Sequence, residues 1–378
     1  MKSRLVFIDL LRGWATIVMI EVHVFNAFIV PAFKETGWFR VLNYINGLVA
    51  PSFLFVAGFV FVIASQRKLE EFRTFGKAFW RQLARIGLIW AIGYALHIPF
   101  FSFSRTITAT TDLDWLKFYQ ADILHCIAVG LLAVFLGRIV IKRDVVYQWY
   151  LIIIGSAVVL VTPLIWEIDF VPRVPAVIAA YLNSQHYSQF PVFPWLGFLM
   201  FGAVTAIAYS RWRTSEKEID FLRTVGILGG VLIVAGSLLI ELSVRLAGVS
   251  TAIRANPLFF ASRLGIVFLL MLICWYYAEK RKTERSFVLA VSRESLLVYT
   301  AHLLFIYGQF WDDKSLTNLY GGTFGIGQCV MAALGLILLM ITSAKLWGWL
   351  KQRSLPAARI ASYATALIVI LVFFIKKS

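Results

Sequence analysis

The chain has 378 residues, of which 60% are hydrophobic and only 15% charged. A soluble domain carries about a quarter charged residues, so this composition excludes an ordinary soluble enzyme. The formal charge of +16 would suit a nucleic-acid binder. Here the Lys and Arg fall in short loops between apolar runs, where the positive-inside rule accounts for them, and no nucleic-acid partner is expected.

Apolar runs of about 18 to 22 residues recur along the whole length, the signature of a polytopic membrane protein. Taken in chain order, the pattern predicts helices at 13–33, 46–65, 86–103, 122–141, 147–166, 192–209, 224–244, 259–278, 287–308, 323–344 and 360–375. The first run lacks a small-residue cleavage site and reads as a membrane helix rather than a signal peptide. Arg67, Lys68, Arg73, Lys77, Arg81 and Arg85 follow the second run. Lys142, Arg143, Arg211, Arg213, Lys280, Arg281, Lys345, Lys351 and Arg353 continue the bias on alternate connections. The opposite loops hold mixed charges, such as Asp112, Asp114, Lys117, Glu167, Asp169 and Arg173. The bias places the N-terminus in the cytoplasm. An eleventh span would carry Lys376 and Lys377 to the far side against that bias, so an interfacial last helix is the alternative.

Two ionisable side chains stand inside the first run. Arg12 and His23 are eleven residues apart, about three helical turns plus roughly 20°, so they share a face with the histidine roughly 16 Å deeper, near mid-bilayer. Intramembrane ionisable groups are costly and mark function by default. Thr16, Met19 and Asn26 continue the stripe, Asp9 lies one turn before Arg12 as an i,i+3 partner, and Glu21 points to the opposite side. A neutral imidazole is a fitting general base, and a guanidinium fork suits phosphates or carbonyls. The bland alternatives are a packing histidine and a boundary arginine.

Further along, Asp122 and His125 share a face at the start of the fourth run. They are candidates for acceptor chemistry or, alternatively, for a helix cap. Pro191 and Pro194 suit a helix start. Arg263 is an intramembrane cation with Glu241 as its expected partner and Arg245 competing for that carboxylate. His302 lies two-thirds of the way along the ninth run and is a candidate for the same cavity, with Ser292 a candidate cap at that run's start. His97 and His186 carry less. Cys126, Cys274 and Cys329 fall inside apolar runs with neither disulfide nor metal spacing, and no metal site is expected. Walker, HExxH and dinucleotide patterns are absent, and Gly226, Gly229, Gly230 and Gly236 read as helix packing.

RLVFIDLLRGWATIVMIEVH, APSFLFVAGF, QADILHCIAVGLL, FPVFPWLGFLMFGA and SRESLLVYTAHLL, in that order over residues 4 to 308, resemble the transmembrane acyltransferase superfamily. The likeness is to the heparan-α-glucosaminide N-acetyltransferase-like family and the related acyltransferase type 3 enzymes. In the latter an Arg, ten residues and a His form the catalytic signature, matched by Arg12 and His23. The heparan-modifying branch places its histidine further along, where this chain has Lys34. The resemblance implies transfer of an acetyl group from cytoplasmic acetyl-CoA to a sugar on the far side.

The combined expectation is an all-α membrane protein, one domain over 1–378, with ten or eleven helices around a bilayer-spanning cavity in a bacterial-type inner membrane. His23, Arg12, Asp122 and His125 are the expected catalytic residues. Arg12, Arg81 and Arg85 would hold acetyl-CoA, while Asn26, His302 and Arg263 would meet the glycan or amino-sugar acceptor. A homodimer is possible on this reading. The rival is a transporter or flippase for a lipid-linked or anionic solute, with Arg12 and Arg263 as contacts; a non-catalytic scaffold is the third class.

Overall fold

The computed structural model describes residues 5–215, 217–247, 253–281, 286–309 and 314–376, without the side chains of 214 and 241–247. Among these residues the protein is helical without a strand, and one isolated bridge joins Ile29 to Phe324. The principal helices are α1 Val6–Phe28, α2 Val49–Ser65, α3 Lys77–Ala95, α4 Ile123–Val140, α5 Asp144–Trp166 and α6 Val192–Thr214. They continue as α7 Glu218–Ala247, α8 Pro257–Arg281, α9 Phe287–Arg293, α10 Ser295–Tyr307, α11 Ile326–Arg353 and α12 Leu355–Ile375.

Eight stretches of the described residues are long and apolar enough to cross a membrane, or nine if α9 and α10 form one bent span. The chain is thus an all-α polytopic membrane protein. Two further expected spans, α1 and α3, have 23 and 19 residues, or about 34 and 28 Å of helix. Length suffices in both; apolarity is lower because α1 carries Asp9, Arg12 and Glu21, and α3 carries Lys77, Arg81 and Arg85.

The first, third and ninth helices differ from the hydropathy reading in ways that bear on the candidate residues. The first helix, expected at 13–33, starts at Val6 and stops at Phe28. Val30 precedes Pro31, a position biased away from the helical region, and Ile29 and Val30 are extended instead. Their strand-like geometry is held by N–H donation from Val30 to the Phe324 carbonyl (3.0 Å) and from Phe324 to the Phe28 carbonyl (2.8 Å). The third helix, expected at 86–103, occupies Lys77–Ala95, ahead of a short turn that begins at Pro99. Arg81 and Arg85 therefore lie within its first half, both exposed, rather than at its threshold. The ninth, expected to run unbroken over 287–308, bends by 87° between α9 and α10. The bend falls in the polar run Ser292, Arg293, Glu294, Ser295, where side-chain oxygens compete with the backbone ladder. Ser286, not Ser292, caps α9 by accepting from the Leu289 N–H.

The chain folds into two compact units. The first comprises residues 1–49, 96–118 and 277–378. At its centre α1 is packed by α9, α10 and α11, burying Ile8, Leu10, Leu11, Ile17, Ile20, Val24 and Phe28. Gly13 makes the α9 approach possible: a Cβ there would overlap the Val288 carbonyl oxygen and lie 2.6 Å from Val288 Cγ1. Lys351 near the end of α11 donates to Glu294 at the α9–α10 junction (2.6 Å). At the opposite end of α10, the Lys376 ammonium donates to the Gln309 carbonyl (2.7 Å) and the Phe100 carbonyl (3.2 Å), while the Ser102 hydroxyl donates to the Lys376 carbonyl. α12 packs on α11, and its far end meets the short helix Phe103–Thr108. Lys376 thus serves as a clasp for two backbone carbonyls.

The second unit comprises residues 50–95 and 119–276. Its centre is α6, packed by α4 and α5. α2 and α6 touch backbone to backbone. A Cβ on Gly58 would lie 2.9 Å from the Leu199 carbonyl carbon, and one on Gly202 2.7 Å from that of Phe55. Such small-residue contact is how apolar helices gain packing energy in lipid, where helix association has no hydrophobic driving force. Pro191 stands at the N-cap of α6, as the FPVFPW motif suggested.

Candidate functional site

Arg12 and His23 both lie on the unbroken α1, so the stripe read from their spacing exists. The midpoint of Val6–Phe28 is near residue 17, so His23 stands six residues, about 9 Å, toward the C-terminal end of the helix.

Arg12 is fixed on two sides. Its Nη2 donates to Asp9 Oδ1 at 3.0 Å, the expected i,i+3 pair, and its Nε donates to Ser292 Oγ at 3.0 Å. The side chain keeps 22% exposure, so the clamped cation still faces outward. Thr16 is fully buried and its hydroxyl returns to the Arg12 carbonyl (2.8 Å), which removes it from the list of reacting groups.

His23 is partly exposed. Its Nδ1 lies 3.5 Å from the Tyr307 hydroxyl, and that hydroxyl is 3.4 Å from the His23 carbonyl oxygen, to which it donates. With the phenolic hydrogen used there, the Tyr307 oxygen is left to accept from Nδ1–H, which makes Nε2 the lone-pair nitrogen. The rings of His302 and His23 are 5.2 Å apart, and the Tyr307 ring stands edge-on to His23 at 5.8 Å. His302 has no exposed surface; its Nδ1–H donates to the Val298 carbonyl at 2.7 Å. A direct contact between His302 and an acceptor, as the sequence suggested, is thus closed in this structure. Asn26 is exposed, and its carbonyl accepts from the Lys34 ammonium (3.0 Å). Glu21 faces away from this group, hydrogen-bonded by Asn46.

The second unit holds the remaining candidates. Asp122 is the N-cap of α4: its Oδ1 accepts from the His125 N–H (3.0 Å), while His125 Nδ1 lies 3.2 Å from the Asp122 N–H and 2.8 Å from Oδ1. Either protonation state of that nitrogen has a partner, so the pair forms a capping box, the alternative foreseen from sequence. The imidazole is fully buried against Tyr94, with ring centroids 4.2 Å apart. Arg263 is buried on α8, its guanidinium 4.9 Å from the Phe259 ring centroid. Its expected partner Glu241 lies outside the described side chains. Arg81 and Arg85 are exposed on α3. His186 is a loop residue bonded to Asp169 at 2.8 Å, and that hydrogen bond holds the Asp169 carboxyl below the usual range. Among the described residues no cluster of three or more His, Cys, Asp or Glu side chains fits a metal ion.

Ser292 and Tyr307 enter the site without having been predicted for it. Ser292 was visible only as a helix cap, because nothing in the sequence announces the bend that carries it to Arg12. Tyr307 reads as an interfacial aromatic, and its five-residue offset from His302 is no helical signature.

The family model described as heparan-alpha-glucosaminide N-acetyltransferase, catalytic, matches residues 4–242 of the chain. No curated protein matches the chain significantly.

Proposed function

Since the chain belongs to the heparan-alpha-glucosaminide N-acetyltransferase catalytic family, a family of membrane acetyltransferases, we propose that it moves an acetyl group from acetyl-CoA to a hydroxyl or amine of a sugar across the bilayer. The observation that carries this reading is His23: a partly exposed imidazole, aligned through Nδ1 by Tyr307, with its Nε2 lone pair available, on the same helix face as a clamped arginine. Nε2 either takes the acceptor's proton as general base or attacks the thioester and carries the acetyl group briefly. Arg12, held by Asp9 and Ser292 near the α9–α10 bend, supplies fixed positive charge for the phosphates or carbonyls of the CoA donor. Acetyl-CoA arrives on the cytoplasmic, Arg12 side of an inner membrane, and the acceptor from the His23 end. No metal is invoked.

The test is release of CoA by purified protein given labelled acetyl-CoA with glucosamine or an oligosaccharide, in wild type and His23→Ala. The reading requires acceptor-dependent release that the substitution abolishes. The 87° break between α9 and α10 favours one other reading, a transporter, since discontinuous helices line substrate sites in many carriers. Those carriers pair broken helices in matched repeats, and the described residues show a single bent pair. Uptake of labelled solute by proteoliposomes, independent of acetyl-CoA, would favour the transporter.

A further inference from the structure

His302 occupies a position that packing alone does not require. Its ring is fully buried on α10, and its Nδ1–H is committed to the Val298 carbonyl at 2.7 Å. Nε2 is a buried nitrogen without a hydrogen-bond partner among the described residues. A protonated ring would bury an N–H with nothing to accept it, whereas a neutral ring buries a lone pair. Either way an unmet polar atom is held in the core at a cost in stability. Native proteins keep few of these, and a side chain able to gain a proton, His23, stands 5.2 Å away between ring centroids. Tyr307 engages the His23 ring through Nδ1 and is a neutral phenol. The carboxylate of Glu21 is directed to Asn46 on the opposite face of α1.

We propose that His302 is a positioning residue whose Nε2 lone pair accepts the Nδ1–H of His23, in place of the 3.5 Å contact with Tyr307, when His23 takes a proton at Nε2 during acetyl transfer. The role rests on the acetyltransferase reading given above. In the general-base route the acceptor oxygen or nitrogen bonds to the acetyl carbonyl carbon while its proton passes to His23 Nε2. The thioester C–S bond then breaks, the CoA sulfur leaves with the electron pair, and it takes the proton back from the imidazolium. Between those two proton transfers His23 is a cation in a poorly solvated place. His302 offers an acceptor of fixed tautomer, because its Nδ1–H is held by Val298, and a turn of the neighbouring His23 ring brings Nδ1–H to it. His302 gains no proton over the cycle and touches no substrate.

Two kinds of replacement separate this role from simple packing. His302→Gln keeps an acceptor oxygen of similar reach; His302→Met fills the space without a strong acceptor, and His302→Phe serves as a second apolar replacement should the first fail to accumulate. Acceptor-dependent CoA release is measured for each, with KM for acetyl-CoA and kcat separated. The expected result is a loss of about tenfold to a hundredfold in kcat for the apolar variant, the range for a hydrogen bond to a charged group. KM should stay unchanged, and the glutamine variant should recover most of the rate. An apolar variant with wild-type kcat overturns the inference, as does a glutamine variant as slow as the apolar one. Wild type that releases no CoA with any acceptor overturns the acetyltransferase reading itself, and this role with it.

Discussion

Gly13→Ala should damage both the stability of the protein and its transfer rate, through one steric contact. The new methyl carbon would sit 2.6 Å from Val288 Cγ1 and on top of the Val288 carbonyl oxygen. Carbon atoms in contact prefer about 3.5–4.0 Å, so α9 has to withdraw from α1 by about 1 Å. Overpacking of that kind costs about 1–3 kcal/mol, visible as a lower Tm in detergent. The same withdrawal stretches the Arg12 Nε to Ser292 Oγ bond from 3.0 Å to about 4 Å, beyond hydrogen-bond range. A hydrogen bond to a charged group is worth about 1.5–3 kcal/mol. If the guanidinium must stay where Ser292 holds it, acetyl transfer falls by about tenfold to a hundredfold. Ser292→Ala removes the bond without the clash, so it should show the rate loss with a smaller Tm change. The double variant should then be little slower than either single one, because both act through one contact. Strictly additive rate losses, or a Gly13→Ala protein with wild-type Tm and rate, would refute the argument.

Three further outcomes follow from the same geometry. A protonated His23 can neither accept a proton nor attack a thioester, so the rate with saturating substrates should fall once acid titrates the ring; a rate that holds level down to the pH at which the protein unfolds excludes both roles. Tyr307→Phe removes the hydroxyl at 3.5 Å from Nδ1; with so long a contact the expected kcat loss is only about threefold to tenfold, and a loss as large as that of His23→Ala would place Tyr307 in the chemistry itself. Lys376→Met should leave the Gln309 and Phe100 carbonyls without their cation and loosen the end of α12, seen as faster carboxypeptidase digestion of the C-terminus at unchanged transfer rate. Equal digestion of variant and wild type would dismiss the clasp.

What the sequence made legible follows the physics of apolar surface. The helical content, and the face shared by Arg12 and His23, come from a period and a spacing that survive any error in helix ends. The ends themselves are misplaced wherever polar groups satisfy one another. Asp9 and Arg12 pair across one turn, which lets α1 begin at Val6 although hydropathy puts the start later. The bend after α9 is a tertiary feature: Glu294 meets Lys351, fifty-seven residues away, and Ser292 meets Arg12, two hundred and eighty away. No local window contains both partners. Asp122 and His125 show the converse. Their spacing of three residues is equally that of a capping box and of a catalytic pair, and only coordinates show that the two build the box at the start of α4.

The distance between Arg12 and His23 bears on which donor such a site can serve. Arg12 and His23 are separated by eleven residues of continuous helix, about 16 Å, and the arginine is fixed in place by two hydrogen bonds at 3.0 Å. A compact metabolite touching one of them cannot touch the other. A donor that uses both must be extended, with anionic or carbonyl groups at one end and its reactive carbon at the far end. Acetyl-CoA has that form, which supports it as the donor. On the proposed reading such a donor lies along α1, its anionic end at Arg12 and its reactive carbon at His23, which leaves the C-terminal end of the helix for the acceptor.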